Sequence, residues 1–182
     1  MSRISIPTVE QSAAAAQPLL AAVQKQLGMV PNLMKLVGHS PAVLEGYLSF
    51  SGALGKGKLS AQLRERIALT VAEFNGCDYC LSAHHYLGSN LAKISATELD
   101  AARDARSNDA STEAALQFAL RVAESRGRVS DADVAKLRLA GFDEASVIEI
   151  VANVAVNVLT NYINNVALTD IDFPAVHAKL AA

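Results

Sequence analysis

An all-α fold is predicted by three observations. The apolar content is mostly alanine, leucine and valine, with 51% hydrophobic but only 5% aromatic residues and no Trp, a composition that favours helix over sheet. Helix start and stop signals recur along the whole chain. No segment shows the sustained alternation between hairpin turns that strands would require.

The elements follow in order. A first helix is expected over residues 9–27, ending at Gly28, and "VPNLMKLVGHSP" reads as a short helix or turn. Ser40 stands as an N-cap before Pro41 at the first helical position, opening a helix to about Leu54 that "GKGK" stops. Ser60 caps "AQLRERIALTVAEF", which Asn75-Gly76 interrupts, and "CDYCLSAHHYLGSN" resumes as a helix ending at Gly88. Ser95 with Glu98, and Ser130 with Asp133, have capping-box spacing. Between them "STEAALQFALRVAESRG" is amphipathic and stops at Gly127; a last long helix spans about 144–168. The 182 residues are the size of one domain. We divide it into a helical extension over 1–40, a core over 41–168 and a tail over 169–182.

Charge and hydropathy narrow the function. Lys plus Arg number 16 against 18 for Asp plus Glu, with no basic block, so nucleic acid is not an expected partner. The N-terminus lacks a charged leader followed by a continuous apolar stretch. The longest apolar segment, "VIEIVANVAVNVLTNYINNVAL", is interrupted by Glu149 and five Asn, which suits a buried helix better than a membrane span. A cytoplasmic protein is expected. In a reducing compartment, a close pair of cysteines points to catalysis or metal binding rather than a permanent staple.

The chemistry is concentrated in "FNGCDYCLSAHHYLG", residues 74–88, which holds both cysteines and two of the four histidines. On a helix, Cys77, Cys80 and His84 fall within an arc of roughly 60°, one above another. Gly76 permits a sharp bend just before them, so both thiols sit in a first turn where free N–H groups and the helix dipole favour an anion. Thiol pKa values drop at helix starts, beside a histidinium and in Cys-x-x-Cys motifs. Thiolate redox chemistry is therefore favoured over two other readings. Structural zinc wants four ligands, and this chain has no further cysteine and a scattered histidine set. A structural disulfide here would close too small a loop to constrain much of the unfolded chain. No metal or other cofactor is expected, and thioredoxin is excluded by the lack of strands.

A buried thiol needs a base, and the base an orienter. His84 lies one turn after Cys80. Glu65 and Glu73 are upstream; Glu65 would be roughly 29 Å from His84 on a straight helix, but level with it if the chain doubles back at Asn75-Gly76. On spacing alone the favoured reading of Glu65 is a solvated charge beside Arg64 and Arg66, and Glu73 could sit on the outer face.

Glu65, Cys77, Cys80 and His84, within "RERIALTVAEFNGCDYCLSAH", resemble the alkylhydroperoxidase D-like (AhpD-like) branch of the carboxymuconolactone decarboxylase family. The likeness covers roughly residues 40–170, and "NVLTNYINNVALTDIDFP" is similar to the ending of its peroxidase-related members. The resemblance implies an oligomeric helical bundle, a dimer, trimer or hexamer, that reduces hydroperoxides at the expense of an external dithiol or redox protein. By that analogy Cys80 attacks, His84 activates it with Glu65 behind, and Cys77 resolves. Some members carry a histidine before the second cysteine where this chain has Tyr79, a weak base near neutral pH, which implies a shorter relay and slower turnover. Alternatives are a non-catalytic helical binding protein with a redox-sensitive clasp, and a decarboxylase-like enzyme, although that branch generally lacks the cysteine pair.

Asn153, Asn157, Asn161 and Asn165 recur every four residues in the last helix, with Asn164 beside the final member. The stripe either lines the thiol pocket or a subunit interface, with Asn161 the residue to test, or forms an exposed polar face.

Overall fold

The computed structural model describes residues 1–179, and among them it forms helices and no strand. The helices are α1 (Gln17–Leu27), α2 (Asn32–Val37), α3 (Pro41–Leu54), α4 (Ala61–Phe74), α5 (Asp78–Asn90), α6 (Ala96–Arg103), α7 (Ala110–Ser125), α8 (Asp131–Leu139) and α9 (Glu144–Ala167). Helix α4 is central and packs on α5, α6, α7 and α9. From Ile67 to Glu73 every residue of α4 is buried, so a mid-chain helix becomes the axis of the bundle.

Local chemistry sets the ends. Ser60 Oγ accepts from Leu63 N–H to open α4, Asp143 accepts from Ser146 N–H to open α9, and Ser130 with Asp133 completes a reciprocal capping box. Ser95 accepts from Glu98 N–H as expected, but the Glu98 carboxylate does not return to Ser95. It accepts instead from Ser107 Oγ and Asn108 N–H and pairs with Arg66. The Ser107 hydroxyl above all holds the Glu98 carboxyl below its ordinary range.

Two boundaries differ from expectation. Helix α1 begins at Gln17, not residue 9, because Pro18 has no N–H to give an earlier turn and fits only the start of a helix. Helix α5 runs through Gly88 to Asn90. Gly88 is there for close approach: a Cβ would lie 2.6 Å from Leu99 Cδ2 on α6. The extension contributes Ala16, Leu20, Val23, Leu33 and Met34 to the same buried core as α4 and α5.

The tail crosses the start of α5. Asp172 accepts from Asn32 N–H and from the Tyr79 hydroxyl, and Asp78 accepts from Ala178 N–H and pairs with His177. Lys179 N–H reaches Glu73. The last three tail positions lie outside the described residues.

Candidate active site

The site is built on the turn between α4 and α5. Gly76 N–H donates to Glu73 C=O and Cys77 N–H to Ala72 C=O, with Gly76 in the left-handed region at φ +60°. These two bonds form a Schellman motif, which ends a helix by satisfying its last carbonyls. Cys77 is thereby also the N-cap of α5, and its Sγ accepts from Cys80 N–H at 3.3 Å. One residue closes the first helix and opens the second.

Cys77 and Cys80 are joined in a disulfide, with Cα atoms 5.3 Å apart. Both are buried, at 0% and 2% exposure. Helices α4 and α5 return antiparallel from the turn, and His84 Nδ1 meets Glu65 Oε2 at 2.8 Å. An ionised carboxylate only accepts, so Nδ1 carries the proton and Nε2 is left as the base. Arg64 donates to Leu59 C=O and Arg66 pairs with Glu98, so neither neighbour neutralises Glu65. The hairpin expected from the sequence therefore sets Glu65 behind His84.

His84 and Glu65 also line a small cavity of about 90 Å³ with Tyr47, Arg64, Asn157 and Thr160. Burial pushes the Tyr47 phenol up, so it stays a neutral hydrogen-bonding group there. Sequence reasoning did not single out Tyr47, because one tyrosine on α3 carries no motif.

The structure draws two predicted accessory residues away from any relay. Tyr79 Oη accepts from Leu33 N–H at 3.0 Å and donates to Asp172 Oδ1 at 2.9 Å. Burial drives its phenol far above the usual range. It ties α2 and the tail to α5, rather than standing in for a relay histidine. Glu73 is neither on the outer face nor beside the sulfurs' base: its carboxylate is buried against Arg103 Nε at 2.6 Å. That pairing spends its charge on structure.

The asparagine stripe is buried, which removes the exposed-face reading. Asn153, Asn157, Asn161 and Asn164 are all below 9% exposure. Asn153 and Asn157 return their amides to carbonyls one turn back on α9. Asn161 Oδ1 accepts from Asn75 Nδ2 at 2.9 Å, and Asn165 Nδ2 donates to Asn75 C=O at 2.9 Å. Helix α9 thus grips the turn that carries Cys77. Asn164 Nδ2 lies 3.3 Å from Cys80 Sγ. That contact was not foreseen, since Asn164 falls off the four-residue spacing that made the stripe visible.

Comparison with known proteins agrees with this architecture. The model of the carboxymuconolactone decarboxylase family matches residues 41–125. A structure described as an alkylhydroperoxidase AhpD core, an uncharacterized peroxidase-related protein from Ralstonia eutropha JMP134, superposes with TM-score 0.85 at 26% identity, covering 94% of this chain and 92% of that one. An uncharacterized peroxidase-related protein from Silicibacter sp. TM1040 gives TM-score 0.82 at 24% identity, covering 93% and 91%. The fold is shared as well by the debrominase Bmp8, solved as a cysteine-to-alanine variant with 2,3,4-tribromopyrrole, at TM-score 0.78 and 20% identity over 93% and 91%. No curated protein matches.

Proposed function

We propose that this chain, whose residues 41–125 match the model of the carboxymuconolactone decarboxylase family and whose fold is AhpD-like, carries out thiol-dependent reduction of hydroperoxides with a redox-active Cys77–Cys80 pair. The observation that carries this reading is the disulfide at the mouth of α5, with His84 held by Glu65 one turn beyond.

The cycle starts from the reduced pair. His84 Nε2 takes the Cys80 proton, and Glu65 stabilises the imidazolium. The Cys80 thiolate attacks the terminal oxygen of R–O–O–H. An S–O bond forms, the O–O bond breaks, and the electron pair leaves on the oxygen bearing R, which takes the proton from His84 to become ROH. Cys80 is now a sulfenic acid. Cys77 attacks its sulfur, expelling water and closing the disulfide. An external dithiol reopens it by exchange and is itself oxidised to a disulfide.

A cytoplasmic homo-oligomer is part of the proposal. The exposed apolar side chains Ile148, Val151, Leu159, Tyr162 and Val166 form a stripe along α9, which supports a contact between copies.

The test is peroxide consumption with a dithiol donor by wild type and Cys80→Ser. Turnover confined to wild type supports the reading, and equal turnover in both ends it.

A further inference from the structure

Asn164 reaches the Cys80 sulfur from outside the redox turn. It is 2% exposed, its Nδ2 is 3.3 Å from Cys80 Sγ, and its Oδ1 is buried with no hydrogen-bond partner among the described residues. One turn earlier, Asn161 is fully buried; its Oδ1 is engaged by Asn75, and its Nδ2 is likewise without a partner among the described residues. Residues three apart are neighbours on a helix face. Around the amide that touches the sulfur, α9 therefore offers, among the described residues, one unpaired acceptor on Asn164 and one unpaired donor on Asn161. Buried amides left half-paired are costly and are normally satisfied, so the pair is matched to a ligand with the complementary groups.

A hydroperoxide has those groups. Its terminal hydroxyl gives one O–H, and the oxygen bearing R accepts. We propose that Asn164 and Asn161 are catalytic residues that hold the hydroperoxide against Cys80. Asn164 Nδ2 donates to the thiolate, Asn164 Oδ1 accepts the peroxide O–H, and Asn161 Nδ2 donates to the oxygen that becomes the leaving alkoxide. Hydrogen bonding to a charged acceptor is stronger than to a neutral one, so Asn164 favours the thiolate over the thiol before attack, and Asn161 gains as charge passes to the leaving oxygen. The contact also distinguishes the two sulfurs: Cys77 Sγ has a local backbone donor, whereas Cys80 Sγ has a side-chain donor from another helix. This inference rests on the peroxide-reduction reading and adds the face from which substrate is held.

The test combines two readouts on wild type, Asn164→Ala, Asn164→Asp, Asn161→Ala and Cys80→Ser. The pH profile of Cys80 alkylation is followed alongside kcat/KM for hydrogen peroxide and an alkyl hydroperoxide. Both Asn164 variants are expected to move the alkylation midpoint up by about one unit, a tenfold smaller thiolate fraction below it, and to lower kcat/KM at least as much. Asn161→Ala is expected to keep the wild-type alkylation midpoint and lose roughly tenfold in kcat/KM, about the loss of one hydrogen bond. Asn164→Asp preserves the side-chain volume and so keeps the question answerable should the alanine variant misfold. An unshifted midpoint in the Asn164 variants, or unchanged kcat/KM in Asn161→Ala, overturns the cradle while an inactive Cys80→Ser leaves the peroxidase reading standing. A wild type that consumes no hydroperoxide overturns both.

Discussion

His84 Nδ1 and Glu65 Oε2 lie 2.8 Å apart across a helical hairpin, although 19 residues separate them in the chain. The pair fixes which imidazole nitrogen is free, and it sets the first prediction. His84→Ala is expected to lower peroxide kcat/KM by about 10²–10⁴-fold, the range of a positioned general base. Glu65→Gln should lose a smaller part of the same factor. Steady-state rates across pH check this: an unaltered profile in His84→Ala contradicts the assignment.

Tyr79 is assigned to structure, and its removal reads out as stability. Tyr79→Phe leaves the buried Leu33 N–H without its acceptor and is expected to cost about 1–3 kcal/mol in denaturant unfolding. The sign of the pH effect follows from its raised folded pKa. The contribution is intact below the unfolded phenol's value of about 10 and declines as pH rises above it. Wild type should therefore lose stability in alkali more steeply than Tyr79→Phe.

Arg103 and Glu73 form a buried ion pair, each side chain below 10% exposure. Arg103→Ala strands the carboxylate and should cost about 3–5 kcal/mol. The thiol alkylation midpoint should not move, which separates this pair from the relay. A shifted midpoint without loss of stability would return Glu73 to the site.

Gly88→Ala places a methyl group 2.6 Å from Leu99 Cδ2; moving the buried Leu99 costs about 1–3 kcal/mol, alanine's better helix propensity offsets about 1 kcal/mol of it, and a net loss of about 1 kcal/mol is expected. Thermal unfolding checks it. A melting curve matching wild type would mean that α5 and α6 can part without penalty.

The stripe on α9 is tested by size. Tyr162→Asp puts a charge between Leu159 and Val166 on that face, and light scattering should find a smaller particle than wild type. Identical masses would place the contact elsewhere.

Much of this was legible from local signals. Ser60, Ser130 and Pro41 mark helix starts in the sequence and in the fold, and Asn75-Gly76 marks the reversal. Because a bend roughly equidistant from two residues brings them level, spacing allowed Glu65 to meet His84, and the family resemblance preferred that reading to a surface charge beside Arg64 and Arg66. Other roles were illegible because they depend on partners remote in sequence. Tyr79 is held by Asp172 and Glu73 by Arg103, and no spacing rule couples positions so far apart. The stripe on α9 was visible, but whether it faced water or the sulfurs depended on how α9 docks against the turn. Gly88 looked like a stop signal, since a glycine needed for close packing and one needed for termination are written the same way.

The tail lying over the start of α5 has a consequence for biosynthesis. Asp78, between the two cysteines, receives its partner from a residue 100 positions later. At roughly 5–20 residues per second, a ribosome needs on the order of 5–20 s to make that stretch. Throughout that interval the start of α5 lacks its tail contacts, so the redox turn reaches its finished packing only after the end of the tail has been made.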